Sequence, residues 1–350
     1  MLAAVKTLAR PAAKRAVITL GLEASAVLHS LGIGKTACGR GAIFTLHHVR
    51  PRPERAFQPN DILDVTPEFL DEAIGVLKRA GYRFIPLEEL GLALRDKNER
   101  PFAIFTLDDG YRDNAIHAAP VFARHGVPYT IFVTKSFIEA DGPMWWEVAE
   151  ALLNKADRIT IDLGEGRQEL AAGSQVEKLA AFNRISHHVN TANEAEAIAR
   201  LCEAAAAHDI DPVAITRELT MRADELKALV ANGLARLGAH TVSHRGLARL
   251  SDLEAAEEIA ASVAKVEEIT GSRPAAFAYP YGDARSVSPR ERELLRQQGV
   301  RIAVTTRPGT LTADHAEDMT AVPRISLNGL YQKGRYVRAL ASGIPFRLMG

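Results

Sequence analysis

Residues 102–110 read FAIFTLDDG: six residues suited to a buried strand, then two carboxylates and a glycine. A run this short and apolar, rich in β-branched and aromatic side chains, predicts a strand covered on both faces, as in a parallel sheet. Burying two ionised carboxylates is costly, so Asp108 and Asp109 are expected where the strand ends, facing a cleft with a cation nearby. Similar runs stand at 42–46 (AIFTL), 129–133 (YTIFV), 235–239 (ARLGA), 275–279 (AAFAY) and 301–305 (RIAVT). Helical patterns lie between them. One spans 66–80, where Thr66 precedes Pro67 and Gly81 ends the run; another spans 251–270, where Ser251 and Glu254 have capping-box spacing and Gly271 closes. Strands alternating with helices predict an α/β fold with a mainly parallel sheet. The stretch from about 144 to 232 is rich in Ala, Glu, Leu, Lys and Arg and interrupts the alternation. It reads as a mostly helical insertion within one elaborated domain.

The 350 residues are 47% hydrophobic and 25% charged, which excludes disorder as the main state. Basic and acidic side chains balance to a net charge of zero, so no whole-molecule field favours nucleic acid. Cys38 and Cys202 form no CxxC pair, which argues against a disulfide framework or thiolate zinc site and fits a reducing, cytoplasmic compartment. The first fifty residues depart from the balance, with Lys6, Arg10, Lys14, Arg15, Lys35, Arg40 and Arg50 against Glu23 alone. Residues 1–40 are therefore expected to form a basic amphipathic segment on the domain or on a membrane surface, with export as an alternative. Glu23 and His29 interrupt the apolar stretch 16–33, so no transmembrane span is predicted. The main domain runs over 41–350.

Three further groups follow predicted strands. His240-Thr-Val-Ser-His244 sets two imidazoles four residues apart, a spacing that lets both reach one metal. With one carboxylate they make a three-ligand set with an open position for water, the pattern of catalytic zinc sites. A second carboxylate beside metal-bound water is suited to act as general base. Residues 277–282, FAYPYG, and 45–49, TLHHV, complete the set. Each group taken singly is an ordinary turn, packing pair or aromatic strand end. Their shared position after strands gathers them at the carboxyl edge of the sheet, where α/β folds place their active sites.

In this order, TLDDG (106–110), HTVSH (240–244) and FAYPYG (277–282) resemble the first three motifs of the polysaccharide deacetylase family, also known as the NodB-homology domain or carbohydrate esterase family 4. The resemblance runs from about residue 43 to 327, with 144–232 as an insert. It implies a distorted (β/α) barrel of about seven strands and metal-dependent removal of acetyl groups from N-acetylated saccharides such as chito-oligosaccharides. It further implies Asp108 as catalytic base, Asp109, His240 and His244 as ligands of a divalent cation, expected to be zinc, and the Tyr281 N–H as oxyanion donor. Two departures matter. Ala278 stands where the family carries an arginine that orients the base, and no Leu-x-x-His supplies a general acid near the carboxyl terminus. The chain is similar in this to a circularly permuted subset whose acid comes from the amino-terminal strand, which points to His47, with His48 as second choice. Arg324 is a candidate for the missing arginine, a surface salt bridge being the other reading. Trp145, Trp146, Tyr279 and Pro280 are candidates for the substrate wall. Hydrolysis of a small cyclic amide, or sugar binding without catalysis, are the competing functions.

Overall fold

The computed structural model describes residues 2–52, 54–96 and 100–349, with the backbone alone at 2–12, 35, 36 and 349. Eight strands make the main sheet: β1 (Gly41–Leu46), β2 (Arg83–Phe84), β3 (Phe102–Leu107), β4 (Tyr129–Val133), β5 (Ala235–Ala239), β6 (Ala276–Ala278), β7 (Ile302–Val304) and β8 (Ile325–Ser326). All pair in parallel, in the order β7-β6-β5-β4-β3-β1-β8. β2 pairs with the first two residues of β3, whose last three pair with β4. The segment 319–326 then draws the two edges together: Val322 exchanges hydrogen bonds with β7 while Ile325 and Ser326 pair with β1. The result is the distorted (β/α) barrel that the family resemblance implies, built on the parallel sheet that the strand pattern predicts.

Alternation along the strands divides inside from outside. Ile43, Phe102, Ile104, Phe132, Ala276, Ala278, Ile302 and Val304 fill the barrel interior. Ala42, Phe44, Leu46, Ala103, Phe105 and Leu107 face the helices in a larger outer core. The same period puts Thr106 and Asp108, and likewise Thr45 and His47, on the inner face as the chain leaves β3 and β1. Helix Pro67–Arg79 starts as expected, with Thr66 Oγ1 accepting from Phe69 N–H at 3.2 Å. Helix Asp252–Thr270 carries the Ser251–Glu254 capping box and stops at Gly271, φ 74°.

The insertion folds around a core of its own that includes Trp145, Trp146, Leu152, Ile185 and Leu201. Within residues 144–232 the helices are joined by one antiparallel hairpin, Arg158–Asp162 with Arg167–Ala171. Ile159 and Ile161 alternate with polar neighbours and are buried, while Gly164 and Gly166 turn the chain at positive φ. The basic amino-terminal segment is mostly one helix, Leu2–Ser30; the side chains of Lys6, Arg10 and Lys35 lie outside the described residues. That helix packs on the carboxyl-terminal helices Gly334–Ala341 and Ile344–Met349, and Glu23 accepts hydrogen bonds from Arg335 and Tyr336. Among the described residues no helix is long and apolar enough to cross a membrane.

Candidate active site

Parallel register brings the motifs together. Leu46 pairs with Leu107, and Asp108 N–H donates to Leu46 O at 3.0 Å, so His47 and Asp108 leave adjacent strands side by side. His240 follows β5 and donates its N–H to Val133 O, and Tyr279–Gly282 follows β6. His47, Asp108, Asp109, Trp145, Trp146, His240, His244, Tyr279 and Tyr281 line one cleft of about 310 Å³. Backbone strain is concentrated there. Asp109, Thr241, His244 and Tyr281 all hold left-handed φ between 57° and 73°, a conformation that costs on the order of 1–3 kcal/mol per residue and persists where the surroundings enforce it.

Arg324, the candidate for the missing arginine, lies against Asp108. It lies at the seam between β7 and β1, is 1% exposed, and grips Asp108 with two hydrogen bonds of 2.7 Å. Its Nε donates to Thr305 O and its Nη1 to Thr106 Oγ1. The surface salt bridge considered for it is thereby corrected: the segment closing the barrel turns the side chain inward. Burial alone would raise Asp108, but the charge and hydrogen bonds of Arg324 hold its carboxyl below the usual range.

Asp109, His240 and His244 converge. His240 Nε2 lies 3.6 Å and His244 Nε2 3.4 Å from Asp109 Oδ1, and each residue offers one ligand atom within 4.8 Å of the others. His240 Nδ1 donates to Ala278 O at 2.6 Å, which fixes the tautomer and leaves Nε2 facing the cleft as an acceptor. Asp109 Oδ1 is buried without a hydrogen-bond partner. Burial and the neighbouring Asp108 push its carboxyl well up, while burial holds His240 and His244 below their usual value. One buried carboxylate oxygen and two neutral imidazole nitrogens aimed at one point fit a divalent cation.

Several supports were not evident in the sequence. Glu258, from helix Asp252–Thr270, accepts from Val242 N–H at 2.7 Å and Ser243 N–H at 2.9 Å, pinning the loop that carries both histidines. Glu194, from the insertion, accepts from Tyr281 Oη at 2.5 Å and Gly246 N–H at 3.2 Å, and pairs with Arg249. His48 points away from His47. It is fully buried, hydrogen-bonded through Nδ1 to Asp113, 3.5 Å from Glu147 through Nε2, and packed against the Tyr111 ring at a tilt of 33°. Burial alone would lower His48, but the two carboxylates raise it to about 9. This ion-paired, enclosed ring is removed from the acid position for which it was second choice. Asp113 follows Asp109 by four residues and was within reach of motif reading; Glu194 and Glu258 had no local signal.

The substrate-wall candidates divide. Trp145 and Trp146 line the cleft and also pack in the insertion core, with Trp145 Nε1 donating to Tyr281 Oη and Trp146 Nε1 to Tyr111 Oη. Tyr279 borders the cleft but is not a wall for substrate: strand alternation turns its ring into the outer core against Phe277, and its hydroxyl donates to Thr320 O. Pro280 is buried and lies outside the cleft lining. Among the described residues no hydrogen bond engages Tyr281 N–H within the chain.

The polysaccharide deacetylase family profile matches residues 185–303, which takes in His240, His244 and the 277–282 motif. Solved structures extend the likeness across the fold. The Streptococcus pyogenes deacetylase PplD in complex with acetate shares 15% identity at a TM-score of 0.54, covering 82% of this chain and 92% of its own. IcaB from Ammonifex degensii shares 19% at 0.52, covering 88% and 98%, and a polysaccharide deacetylase from Bacillus cereus 18% at 0.53, covering 87% and 68%. No curated protein matches the sequence. The profile match covers about a third of the chain, and the solved structures share its fold, so the chain is similar to polysaccharide deacetylases in both respects. The profile match begins after β1 and β3, so His47, Asp108 and Asp109 lie outside it and are joined to His240 and His244 by the fold.

Proposed function

We propose that the chain is a divalent-metal-dependent deacetylase that hydrolyses the N-acetyl group of a chito-oligosaccharide-like saccharide. The observation that carries the reading is the meeting, in one cleft, of Asp109, His240 and His244 with an Asp108 carboxylate held ionised by Arg324. Asp109, His240 and His244 would hold the cation, taken as zinc from the nitrogen-rich donor set. When bound, such an ion polarises the amide carbonyl and makes water acidic enough to attack at neutral pH.

Asp108 has the role of base. Held by Arg324, it is ionised throughout the neutral range and poorly suited to keep a proton it collects. His47, beside it, is lowered by burial to about 4, so the ring rests neutral at pH 7 rather than as the imidazolium that an acid requires. In this reading Asp108 takes the proton from the attacking water and His47, at the same strand edge, delivers a proton to the departing nitrogen. The free Tyr281 N–H is suited to receive charge developing on the acetyl oxygen. Trp145 and Trp146 supply flat apolar walls of the kind that cover a sugar face. The acid standing on the strand before the Asp-Asp motif is the arrangement of the permuted subset.

Acetate release from chito-oligosaccharides, with and without chelator, tests the reading against ring opening of a cyclic ureide. Chelator-sensitive acetate release is expected. Ureide turnover without acetate release, or a metal-free protein that binds sugar without changing it, would overturn the reading.

A further inference from the structure

Between the amino-terminal helix and the carboxyl-terminal helices lies a second groove of about 450 Å³, within the range of about 300–1,000 Å³ usual for small-molecule sites. Ile18 and Leu22 form one wall, with Phe69, Leu340 and Phe346 among the residues facing them. Ser25, Ser326, Asn328 and Tyr331 interrupt this apolar lining, and Ser25 Oγ and Tyr331 Oη are buried without a hydrogen-bond partner. Ile62 belongs to this groove and also to the cleft that holds His47 and Asp108, so the two spaces adjoin. Val17 at the rim of the groove, and Leu20 and Val27 on the same helix, are exposed apolar side chains beside it. Lys14 and Arg15 precede them.

Such mostly apolar walls offer a sugar ring little to bond, whereas a hydrocarbon gains from leaving water there in proportion to the apolar area covered. An oxygen near the head of an amphiphile would meet the two unpartnered hydroxyls. Adjacency to the catalytic cleft selects the molecule. We propose that the groove holds the hydrocarbon tail of the saccharide substrate itself, an N-acetylated sugar carrying an alkyl or prenyl chain. The tail site stands on the groove alone; the identity of the head rests on the deacetylase reading.

The test reads binding, not turnover, so it stands even if no substrate is hydrolysed. The full chain is titrated with cis-parinaric acid, whose fluorescence rises in apolar surroundings, and the probe is then displaced below micelle-forming concentrations by dodecyl glucoside or by dodecyl N-acetylglucosaminide. The blocking variant is Gly21→Phe. Gly21 lines the groove, a Cβ there meets nothing within 4 Å, and replacing a glycine inside a helix does not threaten the helix. Wild type is expected to bind the probe, Gly21→Phe to bind it about tenfold more weakly or worse, and the N-acetylated glycoside to displace it at about tenfold lower concentration than the glucoside. Acetate release from a tail-free chito-oligosaccharide should be the same in both proteins. No probe binding to wild type, or equal binding to Gly21→Phe, overturns the tail site. Equal displacement by the two glycosides shows that the groove takes a tail whose head does not enter the cleft, which overturns the proposal that the tail is the substrate's. Absence of acetate release with selective displacement overturns the deacetylase reading alone.

Discussion

Arg324 reaches Asp108 across 216 residues of sequence, and both of its terminal nitrogens donate to the two carboxylate oxygens at 2.7 Å. The pair is almost wholly excluded from water, so it is worth less as a source of stability than as a device that keeps a base ionised and aimed. Arg324→Met should leave a buried, uncompensated carboxylate and cost about 3–5 kcal/mol, read by denaturant unfolding. It should also move the acid limb of the rate profile to higher pH, because burial is then the dominant influence on Asp108. An unchanged acid limb would show that Arg324 does not hold the base.

Asp108→Asn keeps the shape of the turn but cannot accept a proton. Turnover should fall by about 10² to 10⁴, with metal content unchanged. A near-normal rate would mean that the two aspartates have been assigned the wrong way round.

For the metal, the expectation concerns His240 and His244. Each supplies one of three protein ligands, so His240→Ala or His244→Ala should lower metal affinity by more than the about 10–100-fold that losing a support to a ligand costs. The fold should persist, since the barrel interior packs without these side chains. Full occupancy of both variants by elemental analysis would remove the assignment.

The legible part of the site is the part written as local pattern. FAIFTLDDG gives a strand, its inner face and its end without any knowledge of partners, and HTVSH and FAYPYG do the same for two more strands. Parallel register then leaves little freedom in where their ends meet. What could not be decided depends on chain closure: Arg324 stands just before a two-residue strand with no periodic signal, and only the seam between β7 and β1 turns it inward and so chooses between the two readings. Glu194 and Glu258 are ordinary helical glutamates in sequence, and their roles arise from which loop each helix lies against. The hairpin at 158–171 was hidden by its polar alternate residues, although Ile159 and Ile161 show the period of two.

Glu194 ties the insertion to the third motif through Tyr281, whose backbone is held at φ 60°. Glu194→Ala should release that turn and misplace the Tyr281 N–H. Turnover is expected to drop about 10- to 100-fold at constant metal content, the scale of an error of about 1 Å in positioning. If turnover and KM both stay at wild-type values, the insertion serves the barrel's stability and not its chemistry.

His48 offers a pH test of stability. Its pKa is raised to about 9 by Asp113 and Glu147 against the opposing effect of burial, so the native state binds the proton more tightly than the unfolded chain, whose value is 6.5. The stabilisation is therefore complete below about pH 6.5 and is lost as pH rises through about 9. Thermal unfolding of wild type should move to lower temperature over that window. His48→Asn should be less stable at pH 7 and lack that part of the slope; a parallel slope in both proteins would show that His48 is neutral in the native state.

His47 is the remaining group on which the reaction turns. An amide nitrogen cannot leave as an anion at neutral pH, so some group opposite the base must give it a proton. The inner-face alternation of β1 brings His47 next to Asp108, while His48 is committed to its carboxylates. The ring is neutral at rest, lowered by burial to about 4, so in this proposal it must gain its proton during the reaction, with Asp108 as the proposed source. His47→Ala should therefore reduce amide turnover by about 10² to 10⁴ with metal retained. An ester of the same sugar, whose alkoxide leaves more readily, should lose much less. Because the resting ring does not titrate near neutrality, the wild-type rate should show no alkaline limb near pH 6.5 of the kind an ordinary imidazolium acid would give. Equal losses on amide and ester, or a limb near pH 6.5 that disappears in His47→Ala, would exclude this proton route and require another acid in the cleft or a charged resting His47.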